Sequence, residues 1–180
     1  MKLVLPERIE TERLVLRQPR QDDALGLFDA YTQDAHVARY MVWRPHTALA
    51  EAEAFVDQCL RGWRSGTCMP YVLARREAEE KPIGMLEARL IAHAVDLGYA
   101  LARQHQGSGL MPEALRAVTG LALAVPRLYR VQATCDVDNH ASARALEKAG
   151  LQREGRLGRY TVHPNLGPEP RACWLYALCK

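Results

Sequence analysis

No stretch of the chain approaches the roughly 18 consecutive apolar residues that a membrane helix needs, so no spanning helix is expected. The opening segment, Met1 to Leu14, lacks a long apolar core and turns charged within a few residues. Export is therefore not expected. Charge of one sign is also scarce: 24 Lys and Arg against 21 Asp and Glu leave a net charge of +3. That excess is too small to argue for a nucleic-acid partner. The five cysteines, Cys59, Cys68, Cys135, Cys173 and Cys179, are odd in number, and no pair has C-x-x-C spacing. Neither a disulfide framework nor a zinc site is indicated. Thiols buried in a reducing cytoplasm are the expectation. His36, His46, His93, His105, His140 and His163 show no ligand spacing, so no metal is expected. Internal repeats and low-complexity tracts are lacking too.

What is present reads as one globular domain spanning 1–180. Hydrophobic residues make up 48% and charged residues 25% of the chain, close to the globular average. Glu12 to Gln18 alternates as a strand does, and Pro19 stops it. Gln21-Asp22-Asp23 offers a helix start, followed by Ala24, Leu27, Phe28 and Tyr31 at helical spacing. A second helix is predicted from about Ala48 to Trp63, ended by Ser65-Gly66. Three strands follow: Met69–Arg75, Pro82–Ile91 and His93–Ala102, with Arg76 to Lys81 as a charged turn between the first two. Gly107 to Val125 reads as a helix closed by Pro126. Leu128–Val137 reads as a strand and Ala141–Ala149 as a helix that Gly150 caps. Arg153–His163 and Ala172–Cys179 are the last strands. This order predicts an α+β fold, a mixed and mostly antiparallel sheet of six to seven strands flanked by helices.

The most informative stretch is Gln104-His105-Gln106-Gly107-Ser108-Gly109-Leu110, a glycine turn between a strand and a helix. The first amides of a helix have no intrahelical acceptor, and the helix dipole is positive at that end. Glycine adopts positive φ and lacks the Cβ that would hold a phosphate away. Gly107 and Gly109 therefore suit a nest of amides around a pyrophosphate. A Walker loop would end in Gly-Lys-Ser/Thr, but Leu110-Met111 follows Gly109. A dinucleotide fingerprint needs a third glycine where Pro112 stands, and an acidic residue about 20 positions on, where Leu128-Tyr129-Arg130 stands. A coenzyme A pyrophosphate is the remaining reading.

Gln104-x-x-Gly107-x-Gly109 matches the Gln/Arg-x-x-Gly-x-Gly/Ala signature of the GNAT N-acetyltransferases. Asp96-Leu97-Gly98-Tyr99-Ala100-Leu101 resembles the strand that precedes this loop. Val137 to Ser142 and Leu146 to Leu151 resemble the family's second cofactor motif. Thr11-Glu12-Arg13-Leu14-Val15-Leu16-Arg17 is similar to the RimJ/RimL-like branch, whose members acetylate protein N-terminal amines. The resemblance covers almost the whole chain, in order.

The resemblance implies acetyl-CoA as co-substrate, without a metal, and transfer to a primary amine by direct attack in a ternary complex. It implies that the backbone of Tyr99, Ala100 and Leu101 pairs with pantetheine where two central parallel strands splay apart. Gln104 belongs to the signature, and the amides of Gln106, Gly107, Ser108, Gly109 and Leu110 would hold the pyrophosphate. Asn139 would contact the pantetheine arm; an N-cap role fits it equally. Many relatives protonate the leaving thiolate with a tyrosine, but here that position is Leu146, and Ser142 is the nearest donor. Helix capping is the alternative for Ser142. Glu87, in an otherwise apolar strand, is the leading general base. An ion pair with Arg89 is its alternative, and Asp96 and His93 are runners-up. Tyr40 to His46 on one side, and Tyr160 with the Pro164–Pro170 loop on the other, are expected to wall the acceptor site. The acceptor is a protein N-terminus or a small amine, and a homodimer follows the family. A coenzyme A-binding regulatory module without catalysis is the competing function.

Overall fold

Alternation along the strands decides which side chains meet which helices. The computed structural model describes residues 2–180. Its strands are β1 (Arg8–Glu10), β2 (Leu14–Arg17), β3 (Cys68–Arg75), β4 (Ala78–Ile91), β5 (Ala94–Leu101), β6 (Arg130–Asp136), β7 (Gln152–Val162) and β8 (Pro170–Cys179). They form one eight-stranded mixed sheet in the order β1-β2-β3-β4-β5-β6-β8-β7. The helices are α1 (Asp23–Leu27), which runs into a π-helical turn at Phe28–Thr32, then α2 (Ala35–Ala38), α3 (Leu49–Ser65), α4 (Leu110–Ala124) and α5 (His140–Lys148).

Each face of the sheet has its own core. Leu16, Tyr71, Leu86 and Leu97 pack with Leu115 and Val118 of α4 and Leu146 of α5. On the other face, Val72, Met85 and Ala100 pack with Leu27 of α1 and Val56 of α3. Each such buried aliphatic side chain contributes about 1.5–3 kcal/mol.

Several elements differ from expectation. The Arg76–Lys81 turn shrinks to Arg76-Glu77, because β4 begins at Ala78, which pairs with Arg75. Glu79 there is held by the Arg8 guanidinium at 2.7 Å. The helix expected from Gly107 begins at Leu110, with Gly109 as its cap. Asp23 does not cap α1; its carboxylate takes both terminal nitrogens of Arg17, at 2.6 and 2.8 Å, in a buried pair. The strand beyond the expected seven is the three-residue β1.

The two central strands carry the functional geometry. β5 and β6 run parallel, but their register covers only Ala94, Val95 and Asp96 against Arg130, Val131 and Gln132. Beyond that point β5 continues to Leu101 and β6 to Asp136 without pairing to each other. Apart from Leu101 O, which accepts from the Gln106 side chain, the edge of Leu97–Leu101 that faces β6 therefore offers free backbone donors and acceptors.

Candidate active site

The glycine turn follows directly from the free edge of β5. Gly107 and Gly109 have φ of +76° and +81°, the left-handed region that other residues enter at a cost. A Cβ on Gly107 would meet nothing within 4 Å, so the approach to its backbone is open. Among the described residues, the amides of Gly107, Ser108, Gly109, Leu110 and Met111 have no acceptor in the protein. They lie at the positive end of a 15-residue helix. Five unpaired amides beside an open backbone fit a pyrophosphate. Gln106 departs from expectation: its amide donates to Arg103 O at 3.2 Å, which removes it from the nest. Its side chain instead donates to Leu101 O at 2.9 Å and fastens the turn to the end of β5. Ser108 Oγ donates to His105 O at 2.6 Å. Gln104 is exposed beside a cleft that Asp29, Asp34 and Arg103 also line.

Arg13 braces the turn from β2's side. It donates to Ser108 O at 2.9 Å and to Glu113 Oε2 at 2.7 Å. Thr11 Oγ1 also donates to Glu113, at 2.6 Å. Burial works to raise the Glu113 pKa, but these donors outweigh it and hold the carboxyl below its ordinary range.

At the other end of the opening, Asn139 caps α5: its side-chain oxygen accepts from the Ser142 amide at 3.2 Å. Its side-chain NH2 stays available to a ligand. Ser142 Oγ lies 2.7 Å from the Tyr99 hydroxyl, which reaches across from β5. Burial pushes the Tyr99 phenol and the Cys135 thiol up, the latter to about 11, and the nearby Ser142 hydroxyl works against both shifts. Leu146 is fully buried in the core and offers no donor.

Glu87 lies on the opposite face of the sheet, across from Gly98 of β5, so the structure does not bring it together with Ser142. Its side chain is 37% exposed and paired with Arg89 at 3.0 Å, which corrects the expectation of a buried carboxylate. It also accepts from the Cys68 thiol at 2.6 Å, and Arg89 reaches on to Asp96 at 2.8 Å. Glu87 borders a cleft of about 380 Å³ with Phe55, Cys59, Gly62 and Pro70. His93 is exposed and packs against Tyr129.

The two loops expected to wall the acceptor meet. Asn165 donates to Ala38 O at 2.6 Å and to Trp43 O at 2.8 Å. Tyr40 donates to Asp138 O at 3.3 Å and stands edge-on to His163. Beneath them Asp136 is 1% exposed and accepts from Arg171 at 2.6 and 3.2 Å and from the Asp138 amide at 2.9 Å. The Tyr99 side chain and the Asp136 network did not emerge from sequence reasoning. Alternation with Leu97 and Leu101 was the available signal for Tyr99; Asp136 and Arg171 lie too far apart in sequence to announce a pair.

A family model described as an acetyltransferase (GNAT) domain matches residues 13–152, and the chain belongs to that family. It is 27% identical over 164 residues to the [ribosomal protein uS5]-alanine N-acetyltransferase of Escherichia coli (strain K12), covering 86% of this chain and 83% of that one. Its fold matches the microcin C7 self-immunity acetyltransferase MccE, solved with acetyl-CoA and AMP, at a TM-score of 0.86 and 19% identity over 98% of both chains. It also matches RimL, the ribosomal L7/L12 alpha-N-protein acetyltransferase in complex with coenzyme A, at a TM-score of 0.84 and 21% identity, over 96% of this chain and 98% of that one. The chain is an acetyltransferase of the GNAT family, similar over most of its length to the ribosomal-protein acetyltransferase named above.

Proposed function

We propose that the chain transfers an acetyl group to the α-amine of a protein N-terminus by direct attack in a ternary complex. One observation carries the reading: β5 parts from β6 after Asp96 and Gln132 and leads on into the turn that holds the five free amides. Bound acetyl-CoA supplies an acetyl thioester. The chain's own groups do the rest. Gly107 to Met111 hold the diphosphate, while the free edge at Tyr99–Leu101 and the Asn139 side-chain NH2 orient the arm. A backbone amide of the splayed stretch stabilises the developing oxyanion. Ser142 donates its proton to the departing sulfur. Glu87, freed from its hydrogen bond to Cys68 and its ion pair with Arg89, takes the proton that the attacking amine gives up.

A protein acceptor is supported by the activity named for the E. coli relative. The Tyr40–His46 and Pro164–Pro170 loops, joined through Asn165, would wall the side from which a chain end enters. The proposal includes a cytoplasmic setting, which the free state of all five cysteines supports, and a homodimer, which sedimentation tests.

Acetyl-CoA at a hundredfold excess over its Kd stabilises the fold by about 2.7 kcal/mol, and NAD and ATP do not. Release of free thiol accelerates with peptides bearing a free N-terminus and not with their N-blocked forms. If only polyamines or aminoglycosides accelerate it, the protein-acceptor reading fails. If acetyl-CoA gives no thermal shift, the whole reading fails.

A further inference from the structure

The hydroxyl of Tyr99 takes no part in the chemistry above, although its backbone lines the cofactor arm. We propose that Tyr99 is a positioning residue. Its hydroxyl donates to Ser142 Oγ and so turns the serine's single proton away from the protein, into the opening between β5 and β6. The inference rests on the reading of Ser142 as the donor to the departing sulfur.

A serine on a helix ordinarily gives its proton back to the carbonyl four residues earlier. Here that carbonyl belongs to Asp138, and both the His140 amide and the Tyr40 hydroxyl already donate to it. The Tyr99 hydroxyl lies 2.7 Å from Ser142 Oγ, and the Cys135 thiol is the other polar group near that oxygen. The alternative acceptor for Tyr99, Ser142 O, is longer at 3.4 Å. A hydroxyl carries one proton, so an Oγ that accepts from Tyr99 must point its own hydrogen elsewhere. Burial raises the phenol's pKa, so Tyr99 keeps its proton and has it to donate to Ser142 Oγ. The serine cannot drift, because the Asn139 cap holds its amide. Leu146, one turn further on, supplies no competing proton.

The transfer balances as follows. The amine nitrogen bonds to the acetyl carbon and the carbon–sulfur bond breaks. Glu87 takes the amine proton and the sulfur takes the Ser142 proton. Ser142 takes a proton from water in the same step in which it gives its own to sulfur, so no alkoxide is left, while Glu87 releases its proton to solvent.

The test uses the full chain with Ser142→Ala, Tyr99→Phe and the double variant, each checked for an unchanged melting temperature. Ser142→Ala lowers kcat about a hundredfold. Tyr99→Phe lowers it about tenfold, at unchanged KM for acetyl-CoA. The double variant loses no more than Ser142→Ala alone. Calorimetry gives a second readout without turnover. Coenzyme A binding tightens from neutral to alkaline pH relative to desulfo-coenzyme A, because the serine proton meets the bound thiolate. That tightening shrinks in Tyr99→Phe and disappears in Ser142→Ala. If Tyr99→Phe keeps full kcat and full tightening while Ser142→Ala loses both, the role of Tyr99 is overturned and the reading of Ser142 stands. Losses that simply add in the double variant overturn it too. If Ser142→Ala loses neither, the underlying reading falls as well.

Discussion

Asp136 shows what a single buried charge asks of its neighbours. Burial works to raise its pKa, but the Arg171 guanidinium and the Asp138 amide outweigh that, so it stays below the ordinary 3.8. His163, 3.5 Å from the same carboxylate, adds to the pull. A folded pKa below the unfolded one gives stability that is complete above the unfolded value and lost as pH falls through the folded one. Asp136→Asn should therefore cost about 2 kcal/mol at neutral pH and flatten the acid limb below about pH 4. Urea midpoints across that range check both. Asn139→Ala removes the cap of α5 and should cost about 1 kcal/mol in the same assay. Asn139 was readable in advance, because a cap is a local pattern. The Glu87–Arg89 pair was readable as an alternative, since residues two apart on a strand share a face. The contact between Tyr99 and Ser142 was not, because it bridges a strand and a helix 43 residues apart.

Elements were legible where apolar periodicity ran long, as in α3 and α4, and faded where it stopped. Ala78 to Lys81 is a charged strand end with no alternation to show it, and β1 is only three residues long. The start of α4 was misplaced because glycines in the left-handed region belong to the cap rather than to the helix. That geometry makes the turn testable. Gly107→Ala places a Cβ in open space, so its cost is backbone strain alone, about 1–2 kcal/mol. If the turn flattens to relieve that strain, the amides diverge. Calorimetry should then show coenzyme A binding weakened about tenfold or more, with the rest of the fold intact.

At the scale of the whole molecule, the order of strands and helices gave the α+β architecture, and motif resemblance pointed to a parting of the central strands. What periodicity could not give is its extent: three paired residues and then none. Strand separation depends on what the helices on either face allow, and no local pattern records it. Amide exchange can measure it. The amides of Leu97–Leu101 that face β6 should exchange rapidly in the free protein and slow on adding coenzyme A. Those that face β4 should stay protected throughout.

The side-chain amide of Asn165 binds two carbonyls of a distant loop at once. Two segments that look independent along the chain therefore behave as one mechanical piece. Grafting the Pro164–Pro170 loop from a relative without its Ala38–Trp43 counterpart would take the Asn165 donor from the Trp43 carbonyl and leave Ala38 O with the Met41 amide alone, and the graft should loosen the enzyme before it changes its choice of acceptor. Retargeting this scaffold means exchanging both loops together, or keeping the asparagine that couples them.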